Sequence, residues 1–542
     1  MSNTAPCEAD ASRVSDRFRG GGREWLLVFA VLLVALAFRC YRLADEPLWH
    51  DETASINYLD APSFGDFVAR ERPGDPAMVP LYFYIEYRLW KLTGGSVIVL
   101  RVLSVVFGMM TVVITYATAR RIFGPPAALV AAGCAAVAIQ QVYYSQEIRM
   151  YALYGMAGAL AMYALLRVLQ DGAGGTTAPT VWWAVLGLAN AVMLWTHLHG
   201  LWLVLVQGAF VFVVRRKDAK TLALWTAVNG PLLVSVFLWV STTNPESVEA
   251  HLGWIPKLFS EDTKRYLADS ALSINEAVPG SAAQPGAYLA ADPPPRWDES
   301  LHLPTVAKIL IGVLWITLTS TVTLRTLRKR RQLRACARVS EGDRAHAERL
   351  GTDLGLMLTW LVAPAAILIF LSLVWRPTFL PRYALPSTVA LYVLMGGAVA
   401  LMGTGRWQWV IGCLLVGLYA YDTTAFGLPR RPNLREAMTI VDGQPYTEGD
   451  MVLVHPSTNR GPARYYSGLP DSAIQSYGKW EDLPDKALEV ANAGRHAWVL
   501  VGSQMGTPPD PGPGLRERGL NFEYKAVPGA FMLRVYHVMP NK

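Results

Sequence analysis

The chain is 542 residues long and 52% hydrophobic, with only 17% charged residues and a formal net charge of +7. Its mean hydropathy of +0.25 is one that a water-soluble domain sustains only by exposing large apolar patches, so the composition implies a polytopic α-helical membrane protein. The charge is too dilute for an extended nucleic-acid surface, which excludes a nucleic-acid partner, and the five cysteines (Cys7, Cys40, Cys134, Cys336, Cys413) include no pair at metal or redox spacing and do not suggest a disulfide framework.

A membrane span needs about 20 apolar residues, and this rule predicts about eleven helices along the chain. They fall near 24–41, 98–119, 124–142, 150–168, 180–198, 200–214, 219–241, 303–325, 353–374, 385–403 and 407–425. The first is not a cleaved signal peptide, because 25–38 (WLLVFAVLLVALAF) is long and no small-residue cleavage pattern precedes Arg39. Orientation follows from the Lys/Arg asymmetry. With the tail 1–23 (Arg13, Arg17, Arg19, Arg23) in the cytoplasm, Arg120–Arg121, Arg215–Arg216–Lys217 and the run from Arg325 to Arg334 also fall inside.

Four stretches then face the outer side, the periplasm or its equivalent: 42–97, the turn near 143–149, the loop 242–302 and the tail 427–542. In the tail the membrane pattern gives way to short apolar strands, MVLVH at 451–455 and WVLVG at 498–502, around a polar helical stretch at 481–493. This alternation predicts a small soluble α/β domain. It carries no GxSxG, Walker or GxGxxG signature.

The candidate chemistry lies on the same outer side. After the first span comes Leu48-Trp49-His50-Asp51-Glu52-Thr53, two adjacent carboxylates beside an apolar helix end. Tyr143-Tyr144-Ser145-Gln146-Glu147-Ile148-Arg149 follows the third span and leads almost at once into the next. An ionised group near hydrocarbon there costs up to about 3 kcal/mol unless a partner or cavity receives it. His197 and His199 mark the next outer turn, where a divalent metal is one alternative for the pair and substrate contact another. Arg382 and Tyr383 open the tenth span; an Arg fork matches phosphate oxygens bidentately, so Arg149 and Arg382 are candidates to clamp a phosphate at bilayer depth. Ionisable groups in spans also mark ion pathways, which keeps a transporter or lipid flippase as the rival reading, but here they collect at one surface and no inverted repeat is evident.

With Asp51–Glu52 in the first outer loop, Pro80-Leu81-Tyr82, RVLS at 101–104, SQEIRMYAL at 145–153, Thr196-His197 and Pro381-Arg382-Tyr383 in this order, the chain resembles the GT-C membrane glycosyltransferases. Within these it is similar to the bacterial relatives of protein O-mannosyltransferases and of the aminoarabinose transferases that modify lipid A, over roughly 24–426. The resemblance implies a transmembrane catalytic domain there, and transfer of a sugar from a polyprenyl-phosphate donor to a hydroxyl of a lipid, glycan or protein acceptor. It further implies Asp51 as general base, Glu52 as its catalytic neighbour, Glu147 as the second acidic position, and donor-phosphate contacts from Arg149 and Arg382; Tyr383 is a further candidate for the phosphate, and Tyr82, Tyr144, His197 and His199 are candidates for substrate contact. Where relatives carry His-Pro-Pro-Leu-Tyr, this chain has Met78-Val79-Pro80-Leu81-Tyr82, so a role tied to that histidine passes to Asp75 or is absent.

Overall fold

The computed structural model describes residues 22–72, 78–172, 178–243, 341–375, 378–402, 405–425, 432–502, 508–527 and 533–541, with Ser320 and Leu324. The chain divides into two compact units. One comprises the described parts of Met1–Tyr41, Ala61–Ser281 and Val306–Thr423; the other comprises those of Arg42–Asp60 and Thr424–Lys542.

Ahead of the tail the helices are α1 (Gly22–Cys40), α2 (His50–Ile56), α3 (Phe64–Glu71), α4 (Pro80–Thr93), α5 (Val97–Phe123), α6 (Pro125–Val137) and α7 (Ile139–Tyr144). They continue as α8 (Tyr151–Asp171), α9 (Thr180–Thr196), α10 (Gly200–Arg215), α11 (Ala219–Ser241), α12 (Glu341–Val374), α13 (Leu385–Leu401) and α14 (Arg406–Ala425). Among the described residues five stretches are long and apolar enough to cross a membrane: Val97–Phe123, Tyr151–Asp171, Ala219–Ser241, Arg349–Val374 and Arg382–Leu401. The span expected at 303–325, except Ser320 and Leu324, and the loop at 244–302 lie outside the described residues.

One sequence expectation changes, and one stretch gains detail. The stretch 42–97 contains α2, α3 and α4. Ser63 and Asp66 close a capping box on α3, and Pro80 starts α4 where a missing N–H costs nothing. The single span expected at 124–142 is interrupted at Ala138, whose extended backbone (ψ 131°) separates α6 from α7.

Close packing of small residues builds the first unit. α6 reads PPAALVAAGCAAV, and its residues from Ala127 to Val137 are all buried. Small side chains let neighbouring backbones approach, the main way helices gain van der Waals contact in lipid. α13 uses this most tightly, since a Cβ at Gly396 would lie 2.1 Å from the Ala127 carbonyl oxygen and 3.1 Å from the Ala131 Cβ. Farther along the bundle, Asn190 Nδ2 donates to Gln207 Oε1 (2.8 Å) and Asn229 Oδ1 (2.7 Å), joining α9, α10 and α11 through buried amides.

The second unit is a mixed five-stranded sheet in the order β2-β1-β3-β5-β4, from β1 (Met451–His455), β2 (Ile474–Ser476), β3 (Ala497–Val501), β4 (Phe522–Val527) and β5 (Leu533–Val538). β1 pairs in parallel with β2 and β3, while β5 is antiparallel to β3 and β4. Helices α15 (Leu434–Asp442), α16 (Arg460–Tyr466), α17 (Leu483–Asn492) and α18 (Gly512–Glu517) complete it. Val452, Val454, Trp498 and Leu500 pack with Leu434 and Met438, and Leu453, Val499 and Val501 pack with Leu483, Ala487 and Leu515. Both faces of β3 are thus covered, which is why all five of its residues are buried.

The contact at Gly396 makes a prediction. Gly396→Ala drives its methyl into backbone and should cost about 1–3 kcal/mol, seen as a lower thermal midpoint in detergent. Gly417→Ala, whose Cβ meets nothing within 4 Å, should leave the midpoint unchanged or raise it slightly.

Candidate active site

Much of the candidate chemistry hangs on the turn between α7 and α8. Arg39, at the end of α1, is fully buried and reaches across to the α6 break: Nη1 donates to the Ala136 carbonyl (2.7 Å), Nη2 to that of Ala135 (3.2 Å) and Nε to Ser145 Oγ (3.2 Å). Carbonyls at a helix end lack intrahelical donors, and here a guanidinium supplies them. In return Gln146 Nε2 donates to the carbonyls of Arg39 (2.9 Å) and Tyr41 (2.9 Å), at the end of α1. Ser104 Oγ, from α5, donates to the Glu147 carbonyl (2.6 Å). Three side chains therefore fix the backbone that carries Glu147 and Arg149.

Glu147 is buried and Arg149 half-buried. Tyr82 and Glu86, one turn apart on α4, are fully buried. Burial pushes the Tyr82 phenol well above its ordinary pKa; Glu86 adds to the rise, while Ser104 and Arg149 oppose it. Tyr82 stays neutral and can donate or accept a proton in a hydrogen bond.

From Arg149 the cluster continues into stacked rings. Tyr144 meets Tyr151 (centroids 5.1 Å apart), and Tyr154 stacks on His197 at 4.9 Å. His199 stacks on Tyr383 at 3.9 Å, and His197 lies 5.0 Å from each of them. The Arg382 guanidinium sits 5.2 Å from the centre of the Tyr151 ring and 5.9 Å from that of Tyr383. Tyr154 Oη donates to the Tyr383 carbonyl (3.0 Å), tying α8 to the 3₁₀ turn Pro381–Ala384 that presents Arg382. The His199 amide donates to His197 Nδ1 (3.2 Å), which leaves Nε2 to carry the proton of the neutral ring.

Burial draws the His199 pKa down to about 4; a backbone contact at Thr378 opposes the shift and the Arg382 charge adds to it. The ring is therefore uncharged at neutral pH, and the fixed positive charge of the cluster comes from arginine. Among the described residues no group of three His, Cys, Asp or Glu side chains forms a metal shell.

The structure thus brings together Tyr82, Tyr144, Glu147, Arg149, His197, His199, Arg382 and Tyr383 within the first unit. Asp51 and Glu52 belong to the second, on the first turn of α2, with Glu52 fully buried and Asp51 half-buried. Asp75 lies outside the described residues. Sequence reasoning missed Arg39, Ser104, Glu86, Tyr151 and Tyr154. Glu86, at i+4 from Tyr82, and Tyr154, at i+3 from Tyr151, carry a helical-face signal; the apolar run before Arg39 reads only as a span end.

Residues 73–240, under half of the chain, match the family described as dolichyl-phosphate-mannose-protein mannosyltransferase. No curated protein matches in sequence. The chain is similar to the crystal structure of ArnT from Cupriavidus metallidurans bound to undecaprenyl phosphate, at 14% identity and a TM-score of 0.51, over 95% of this chain and 98% of that one. It is also similar to the archaeal oligosaccharyltransferase AglB from Archaeoglobus fulgidus in complex with an inhibitory peptide and a dolichol-phosphate, at 10% identity and a TM-score of 0.51, over 88% and 69% of the two chains. The fold is that of the GT-C membrane glycosyltransferases.

A pH dependence follows from His199. Its folded-state pKa lies below the ordinary value of about 6.5, so the unfolded chain takes up the proton first. The stability contributed by the neutral ring is present above that ordinary value and is lost as pH falls toward about 4. The thermal midpoint in detergent should drop between pH 6.5 and 4.5 by less in His199→Gln than in the parent; parallel curves would show that His199 is not the titrating group.

Proposed function

We propose that the protein transfers a monosaccharide from a polyprenyl-phosphate donor to an acceptor hydroxyl on the extracytoplasmic face of a bacterial inner membrane. The observation that carries this reading is the pair of arginines, Arg149 and Arg382, beside tyrosines and an uncharged histidine at the ends of apolar helices. That arrangement offers planar donors to a phosphate and ring faces to a sugar. The ligands in the two similar structures, undecaprenyl phosphate and a dolichol-phosphate, support a donor of this class.

In the proposed reaction the acceptor oxygen attacks the anomeric carbon and its proton passes to a carboxylate, assigned to Asp51. The bond from that carbon to the phosphate oxygen breaks, and polyprenyl phosphate departs with the electron pair and the negative charge. Arg149 and Arg382 stabilise that charge, with Tyr383 holding the turn of Arg382. A single displacement of this kind inverts the anomeric centre. A divalent metal has no step in this scheme.

The test uses purified full-length protein in nanodiscs, given a polyprenyl-phosphate monosaccharide or the nucleotide-linked form of the same sugar. Only the lipid-linked donor should support transfer. A membrane-anchored donor also gains about 0.8 kcal/mol of partitioning per buried CH₂, which leaves the arginines only the head group to fix. Turnover with the nucleotide sugar alone would refute the reading.

Two variants assign the roles. Asp51→Asn should lower transfer by about 10²- to 10⁴-fold with expression and donor binding intact; turnover within about threefold of the parent would move the base to Glu52 or Glu147. Arg382→Lys should weaken donor saturation more than acceptor saturation, because an ammonium cannot reproduce the guanidinium fork. Unchanged donor curves in both Arg382→Ala and Arg149→Ala would remove these residues from the phosphate site.

A further inference from the structure

The acidic helix α2 is grouped with the C-terminal residues, not with the helices that flank it in sequence. Three contacts make this specific. The backbone N–H of Leu48, two residues before α2, donates to the phenol oxygen of Tyr466 on α16 at 2.6 Å. On the same helix, a Cβ built at Gly461 would come within 2.9 Å of Thr53 Oγ1, at the centre of α2. That hydroxyl cannot swing away without loss, since it donates to the carbonyls of His50 (3.0 Å) and Trp49 (3.2 Å). Arg435 of α15 then donates to the Asp45 carbonyl (3.4 Å) while its guanidinium lies over the Tyr466 ring at 5.3 Å.

α2 is only seven residues long, too short to hold its shape in water by its own hydrogen bonds. Its geometry therefore depends on what it packs against, and among the described residues α16 is such a partner. Leu48 is buried, Glu52 and Thr53 are fully buried, and the hydrogen bond at Leu48 sets where the helix begins.

We infer that the C-terminal unit is the scaffold that sets the position of the acidic helix for the transfer reaction, with Tyr466 and Gly461 as positioning residues acting through Leu48 and Thr53. Neither residue touches a reacting atom; each fixes the backbone from which Asp51 and Glu52 project. This inference rests on the assignment of Asp51 as base, and its test separates the two.

The experiment compares full-length parent, Tyr466→Phe and Gly461→Ala in nanodiscs by hydrogen–deuterium exchange and by transfer kinetics. Tyr466→Phe keeps the ring but removes the acceptor of the Leu48 N–H, and should raise exchange of peptides covering 46–57 by about three- to tenfold. In the same variants kcat should fall by a similar or larger factor with KM for the lipid-linked donor unchanged, and neither variant should lower kcat further in an Asp51→Asn background. Unchanged exchange of 46–57 in both variants would overturn the scaffold. Raised exchange with undiminished kcat, in a protein that Asp51→Asn inactivates, would overturn the positioning role. If exchange rises while Asp51→Asn retains full activity, the scaffold stands and the base assignment fails.

Discussion

A buried cation at a broken helix is the constraint from which the candidate site is built. Arg39 places a full charge where water is excluded, a cost that only hydrogen bonds to its N–H groups can offset. The break at Ala138 provides the acceptors, since an uninterrupted helix would have bonded the carbonyls of Ala135 and Ala136 internally. Cation and break therefore require each other. Gly108 is the clearance that lets them meet: a Cβ there would lie 2.0 Å from Ser145 Oγ and 2.9 Å from Arg39 Nε. Removing the guanidinium would take its donors from the Ala135 and Ala136 carbonyls at the break, and from Ser145 at the turn that presents Glu147 and Arg149.

A second consequence concerns where charge resides. His197 and His199 sit in a ring stack beside Arg382, and neither a desolvated ring nor a neighbouring guanidinium favours protonation. Arginine keeps its proton under these conditions, histidine does not. A phosphate there would meet a charge that does not vary with pH near neutrality, held by rings that orient the Arg382 turn without adding charge. The Tyr154 bond to the Tyr383 carbonyl serves the same end from the opposite helix.

What the sequence made legible were features that depend on local pattern. The apolar run at 98–119 lies within α5 and that at 150–168 overlaps α8 but for its first residue, while the short run at 451–455 matches β1 and all but the last residue of 498–502 falls on β3. Residues of three separate turns, Glu147/Arg149, His197/His199 and Arg382/Tyr383, could be grouped because the expected alternation of spans puts these turns on one side, and His197, His199, Arg382 and Tyr383 do lie together. Features arising from distant contacts were not legible. Arg39 reads as a span-end cation until the α6 break gives it acceptors, and hydropathy does not register a break that replaces no apolar residue with a polar one. The link from Leu48 to Tyr466 spans 418 positions, beyond the reach of any periodicity. β4 escaped for a different reason: it lies at the edge of the sheet and alternates too weakly to register, with Glu523, Tyr524 and Lys525 all exposed.

The departure at Met78-Val79 shows how a changed motif can keep its place in the fold. Both residues are 2% exposed, so the segment is packed where a titrating or metal-binding imidazole would need access. The Met78 carbonyl accepts from the Trp239 indole at 2.9 Å, which fastens the start of α4 to α11 through backbone and indifferently to the side chain at 78. The same indole lies 4.4 Å beneath the Arg72 guanidinium, and Arg72 Nη2 donates to Thr242 Oγ1 at 2.6 Å and to the Trp239 carbonyl at 3.1 Å. One tryptophan at the end of α11 therefore holds the chain on both sides of residues 73–77. The anchor is made through a carbonyl, so the side chain at 78 takes no part in it, and a thioether there offers neither a proton nor a hard-metal ligand. In the proposed reaction the base is then one of the carboxylates, since the thioether at position 78 accepts no proton.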